Sequence, residues 1–141
     1  MNSADLLNQI FAVLANDATF LNFKGLTPTS DIADKAAYIQ KGQETDGVVT
    51  NETIPICLLY PEAGTADTRT LTVYIGKVVI DCFAANWNAA AVMAGQAQKL
   101  LHNWHVHGIY VARFAYDTSF KTGIVGVKGH RVFFDVNSYI G

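Results

Sequence analysis

The run LTVYIGKVVIDCF, residues 71–83, decides how this chain folds. Val73, Ile75 and Val79 fall on one parity, and Tyr74, Val78 and Ile80 on the other. Successive side chains of a strand point to opposite faces, so a run apolar on both parities reads as a strand covered on both sides. One cover follows directly in the chain. From Trp87 to Asn103 two sets recur at helical spacing: Trp87, Ala91, Ala94, Gln98, Leu101 and Ala90, Met93, Ala97, Leu100, Trp104. Asn86 and Asn88 are N-cap candidates for this helix, and its alanines permit close approach to a sheet. The second cover has to be another helix or a neighbouring subunit.

Working outward, Ile54 to Tyr60 is a short apolar strand, with Pro55 at its beginning because proline lacks a ladder donor. Pro61 and the polar loop Glu62 to Arg69 are expected to stop it. Downstream, Val106 to Tyr116 and Ile124 to Val136 read as strands of an antiparallel hairpin. Thr118 to Gly123 forms the turn, and Gly123 is its permissive residue. At the N-terminus, Ser3 and Asp5 favour a helix start, and Leu6, Leu7, Ile10, Phe11 and Leu14 carry the helix to about Ala15. Residues 22–53 are the least regular stretch, an arm with Gly25, Pro28, Gly42 and Gly47. Within it, Ser30 to Ile39 fits a short helix and Ala37 to Gln40 fits a strand equally well. The expected fold is one α+β domain over residues 1–141: an N-terminal helix, then a mixed or antiparallel sheet of about four strands with a helix packed on it (α-β-β-α-β-β).

Half of the 141 residues are hydrophobic and 16% are charged, against a usual charged share of about 25%. Such a composition fits subunit contacts and, equally, a large core under a surface of Thr, Asn and Gln. Net charge is −2, which gives no electrostatic case for a nucleic-acid binder. The charge is split: residues 1–70 hold nine acids and four bases, and residues 71–141 hold three acids and six bases. Acidic surface against basic surface suits head-to-tail packing of identical copies. The N-terminus has no basic n-region of a signal peptide, and the uncharged run Cys82 to Gln98 is too polar to span a membrane. Cys57 and Cys82 fit no metal spacing and read as reduced core residues of a protein made in the cytosol.

The most suggestive chemical cluster is His102, His105 and His107. Two imidazoles two apart on a strand, His105 and His107, can share a direction and hold zinc. The competing reading gives His102 or His105 a role at a helix C-terminus. Asp81, Asp117 and Asp135 all lie in strands. A paired-carboxylate site needs two of them to face each other. Arg113 with Asp117, and Arg131 with Asp135, share parities, so ion pairing across the hairpin or a subunit boundary is the simpler account. Tyr110, Phe114 and Tyr116 line one parity and read as core. Gly123 to Gly126 opens no helix as a phosphate loop would, no Gly-x-Ser-x-Gly elbow occurs, and neither cysteine has a neighbouring histidine. No cofactor and no catalytic residue is expected.

The order of these elements resembles a known family. An amphipathic N-terminal helix, a variable segment, a short strand ending in Tyr-Pro (Leu58 to Pro61), a polar loop holding Asp67 and Arg69, a long strand, a helix and a final hairpin are together similar to the tail terminator proteins of long-tailed bacteriophages and their neck, minor capsid relatives. The resemblance covers nearly the whole chain and rests on element order. It implies a non-enzymatic virion protein, assembled in the host cytoplasm. Such a protein forms a ring, typically of six copies, that caps the tail-tube protein and meets the head-tail connector. Genome DNA passes through the lumen without sequence recognition. Ring contacts are then expected from the loop 61–70, the arm 22–53 and the hairpin 106–136, with Glu62, Asp67, Arg69, Arg113, Lys128 and Arg131 as candidates. Two alternatives remain: another neck or head-completion connector, and a small metal-dependent enzyme or ligand-binding domain using the histidine cluster.

Overall fold

A computed structural model of the chain describes residues 3–66, 73–106 and 109–139. Asp67, Arg69 and His107 therefore lie outside the described residues, as does the Tyr110 side chain. The elements run α1 (Ser3–Ala15), α2 (Ala18–Asn22), α3 (Ile32–Tyr38), β1 (Ile39–Lys41), β2 (Ile56–Ala66), β3 (Val73–Ala84), α4 (Trp87–Leu101), β4 (Trp104–Val106), β5 (Ile109–Phe120) and β6 (Lys128–Tyr139). The fold is α+β. Its sheet has six strands, in the order β1-β2-β3-β6-β5-β4, rather than about four. β1 runs parallel to β2, and all other neighbours are antiparallel. The two additional strands, β1 and β4, are the three-residue outermost ones, too short to carry a period of their own.

β3 lies inside the sheet, paired with β2 on one side and β6 on the other. Its two faces meet different covers. Val78, Ile80, Cys82 and Ala84 join the main core with Leu6, Leu7, Ile10 and Leu14 of α1 and Ala90, Met93, Ala94, Ala97 and Leu101 of α4. The alanines, all nearly solvent-free, let α4 settle closely on the sheet. The opposite face carries no helix. At its lower end Ile56, Leu58 and Phe83 are covered by Val48, Val49 and Ile54 of the segment before β2, and by Ile124 and Val127 of the β5–β6 turn. At this end the second cover is thus not a helix but the chain's own irregular stretch together with the β5–β6 turn.

That stretch realises both local readings in succession, since α3 ends at Tyr38 and β1 begins at Ile39. Tyr38 is solvent-free and donates its hydroxyl to the Phe20 carbonyl oxygen at 2.8 Å. Lys24 Nζ donates to the Thr53 carbonyl oxygen at 2.6 Å, tying the end of the stretch to α2. Asp17 closes α1 and opens α2: its carboxylate accepts from the Phe20 backbone N–H at 2.8 Å and from Gln96 of α4 at 3.0 Å. Asn86 caps α4 by accepting from the Ala89 N–H at 2.8 Å.

Pro61 does not end β2, which continues to Ala66 with an irregularity between Glu62 and Thr65. The Leu59 carbonyl accepts from the Gly42 N–H on the outer side of β2. Backbone groups alternate sides along a strand, so Pro61, two residues on, turns its donorless nitrogen to the same outer side, beyond the end of β1. At the hairpin, β5 runs on to Phe120 and the turn shifts to 121–127, with Gly123 (φ 74°) and Gly126 (φ 78°) in the left-handed region. Cys57 and Cys82 are free, buried and directly opposed on β2 and β3.

Two outcomes follow. Asp17→Ala removes a cap and a tertiary hydrogen bond, and should lower unfolding free energy by about 1–2 kcal/mol, read as a shifted urea midpoint at unchanged slope. Burial pushes the Tyr38 hydroxyl and the Cys57 thiol above their usual ranges, the latter also through its hydrogen bond with Cys82. Both stay protonated in the fold while the unfolded chain ionises them from about pH 8.5 (thiol) and about pH 10 (phenol). The folded state then binds more protons, so stability should fall as pH rises through that window. A urea midpoint unchanged between pH 8 and pH 10.5 would contradict this.

Candidate functional site: the open face of the sheet

The helix-free face is organised in rows across β2, β3, β6 and β5. Next to the covered apolar end stands the row Leu58, Asp81, Arg131, Thr118. Asp81 is 3% exposed. Its carboxylate accepts from Arg131 Nε at 2.7 Å and Nη2 at 3.1 Å, and from the Tyr60 hydroxyl at 3.0 Å. Such a forked pair satisfies both oxygens, which is what lets a carboxylate lie buried on a sheet. The Arg131 guanidinium also lies 4.3 Å from the Phe120 ring centroid. Phe120 in turn lies over Gly129, where a Cβ would come within 2.6 Å of the ring. The hydrogen bond to Asp81 holds the Arg131 pKa above its ordinary value, while burial and then the Asp81 charge raise that of Tyr60.

The next row is Tyr60, Val79, Phe133, Tyr116. Val79 is fully buried beneath Tyr60, Phe133 and Ala115, and Tyr116 stacks on Phe133 with centroids 4.3 Å apart while remaining half exposed. Beyond it runs a row of alternating sign: Glu62, Lys77, Asp135, Arg113. Lys77 Nζ lies 3.2 Å from Asp135, an exposed pair of small energetic weight. Glu62 and Arg113, at the ends of this row, form no side-chain hydrogen bond or ion pair among the described residues.

β5 carries a register shift between Phe114 and Tyr116. It separates residues that simple alternation groups together. Arg113 and Tyr116 lie on the open face, whereas Phe114 packs into the helix-side core and Asp117 stands opposite core residue Val132. There Asp117 meets His130 at 2.6 Å, and His130 also touches Trp87 of α4 edge-on. One hairpin-spanning pair therefore forms, but between Asp117 and His130. Arg131 reaches across to β3 instead. The three aspartates do not face one another: Asp81, Asp135 and Asp117 are held by Arg131, Lys77 and His130 respectively.

Among the histidines, His102 caps α4 and accepts the Phe114 backbone N–H on its Nδ1 at 3.0 Å, closing the outer edge of β5 beyond β4. His105 is exposed on β4. Among the described residues no three His, Cys, Asp or Glu side chains gather as metal ligands, and no helix is long and apolar enough to cross a membrane. Of the charged candidates, Glu62, Arg113 and Arg131 share the open face without touching one another. Lys128 is exposed where β6 opens, opposite Ala84. Asp81, Tyr60 and His130 belong to these clusters and were not singled out by sequence as a unit. Fifty residues separate Asp81 from Arg131, so no local spacing links them.

A chain of the "Virion of native gene transfer agent (GTA) particle" is similar in fold, with a TM-score of 0.65 at 12% sequence identity, over 93% of this chain and 92% of that one. At that identity the likeness is one of fold. No protein-family model and no curated protein matches the sequence.

Arg131→Met leaves the Asp81 carboxylate buried without its cation, and should cost about 3 kcal/mol. The double replacement Asp81→Leu with Arg131→Met should recover most of that loss. Urea unfolding of the three proteins checks both. A double variant as unstable as the single one would refute the account of this pair as a self-contained structural element.

Proposed function

We propose that this chain is a structural virion protein of a tailed, phage-like particle. It forms a ring of six copies that caps the tail tube and joins it to the head-side connector. The observation that carries this reading is the likeness to a virion chain, which spans almost the whole length of both chains. The element order read from sequence points the same way. In this reading residues 1–141 act as one ring-forming domain without cofactor. The segment 22–53, the residues between β2 and β3 with Asp67 and Arg69, and the β5–β6 hairpin supply contacts to copies of itself, to tail-tube protein and to connector. Genome DNA crosses the lumen without base readout. Glu62 and Arg113, unspent at the two ends of a charged row, suit such contacts better than they suit chemistry. The Phe114 N–H already occupies His102 Nδ1, which weakens the case for a metal-dependent enzyme.

Electron microscopy of the purified chain, alone and mixed with tail tubes, tests the proposal. Closed rings located at one end of the tubes are expected. A chain that stays monomeric with both tube and connector present would sink the ring reading. Rings that bind only the connector or portal side would move the chain to a head-completion role.

A further inference from the structure

The two lateral edges of the sheet differ in charge. One edge is formed by α3 and β1, with the segment leaving β1. It presents Asp31, Asp34, Glu44 and Asp46, all exposed. None of these carboxylates forms an ion pair among the described residues, and only that of Glu44 accepts a hydrogen bond, from its neighbour Asp46. The four acids outnumber the two cations on this edge, which bond neutral groups: Lys35 is buried with its Nζ on the Pro28 carbonyl oxygen, and Lys41 is bonded to Asn8 and lies over the Phe11 ring. Between α1 and α3 the same edge opens an apolar groove lined by Phe11, Ile32, Ala36, Ile39, Gln40 and Lys41. Ile32 stands 68% exposed beside it.

The opposite edge belongs to β5. Arg113 and Lys121 bracket its lower half, both exposed and both without a side-chain hydrogen bond or ion pair among the described residues. The acid between them, Asp117, is taken by His130. β4 pairs with β5 only as far as Ala112, and His102 closes one more N–H, so among the described residues the outer backbone edge from 115 to 120 has no strand beside it. One edge thus offers unneutralised carboxylates around an apolar groove, and the other offers unneutralised cations along a bare strand.

We propose that a second copy of this chain occupies the acidic edge: α3 and β1 of one copy receive the β5 edge of the next, with Asp31 and Asp34 against Arg113 and Lys121. The proposal rests on the ring reading above and names the contact that builds it. Because the two surfaces differ, the contact is head-to-tail, the kind that closes into a ring when the rotation per copy allows it. Opposite charges set the order and the register, and the groove with Ile32 supplies the apolar area.

Two charge-reversed proteins test it: Asp31→Lys with Asp34→Lys, and Arg113→Glu with Lys121→Glu. Each alone places like charges in every contact and should shift assembly to at least about tenfold higher protein concentration, read by sedimentation. Mixed in equal amounts they should assemble again, because alternating copies restore an opposite-charge pair at every contact. Assembly of the native protein should weaken with added salt. The milder Asp31→Asn with Asp34→Asn should weaken assembly in the same direction, and circular dichroism of each variant establishes that it is folded. If the native chain forms rings and either reversed protein does so equally well, or if the mixture is no better than its components, this contact is wrong and the ring reading stands. If the native chain forms no ring with tube and connector present, both fall.

Discussion

The structure depends on β3 having to be dry on both faces. A strand apolar on both parities cannot lie on an ordinary two-layer fold with one wet side. Here the helix side is settled by α1 and α4. The other side is closed in sections: first by the residues before β2 and the β5–β6 turn, then by a forked ion pair, then by a stacked aromatic pair, and last by alternating charges. Apolar and charged sections alternate along the strands, and it is the last, charged one that is largely exposed.

A carboxylate can be nearly solvent-free in the second of these sections because every one of its oxygens has a partner. Asp81 has two guanidinium donors and one phenol, and Arg131 has an aromatic ring beneath it. A pair satisfied on all sides is expected to be costly to break by removing one partner and far less so by removing both. His130 with Asp117 does similar work at the helix-side margin, next to Trp87.

Long periodic elements were legible in the sequence. α1 ends at Ala15 as its spacing indicates, α4 begins at the Asn86 cap, and β3 declares itself through its two apolar parities. What escaped was set by tertiary context. β4 is three residues long and takes its conformation from the strand beside it, while for β1 the sequence left strand and helix equally open. The shift at Ala115 puts Arg113 and Asp117 on opposite faces, and nothing in the residues around it announces an extra step. The Asp81–Arg131 pair depends on β3 and β6 being neighbours, a fact of topology. For the histidine cluster, sequence offered a metal and a helix end. The helix end describes His102, whose ring nitrogen serves a strand of another element.

Pro61 carries a consequence of its own. Among the described residues the upper half of β2 has no strand on its outer side, and a fully equipped backbone there would invite any extended peptide to add on without limit. A proline facing outward deletes one rung from that ladder at no cost to the pairing with β3. At this edge growth by backbone zippering is interrupted, and a neighbour there has to be held by side chains.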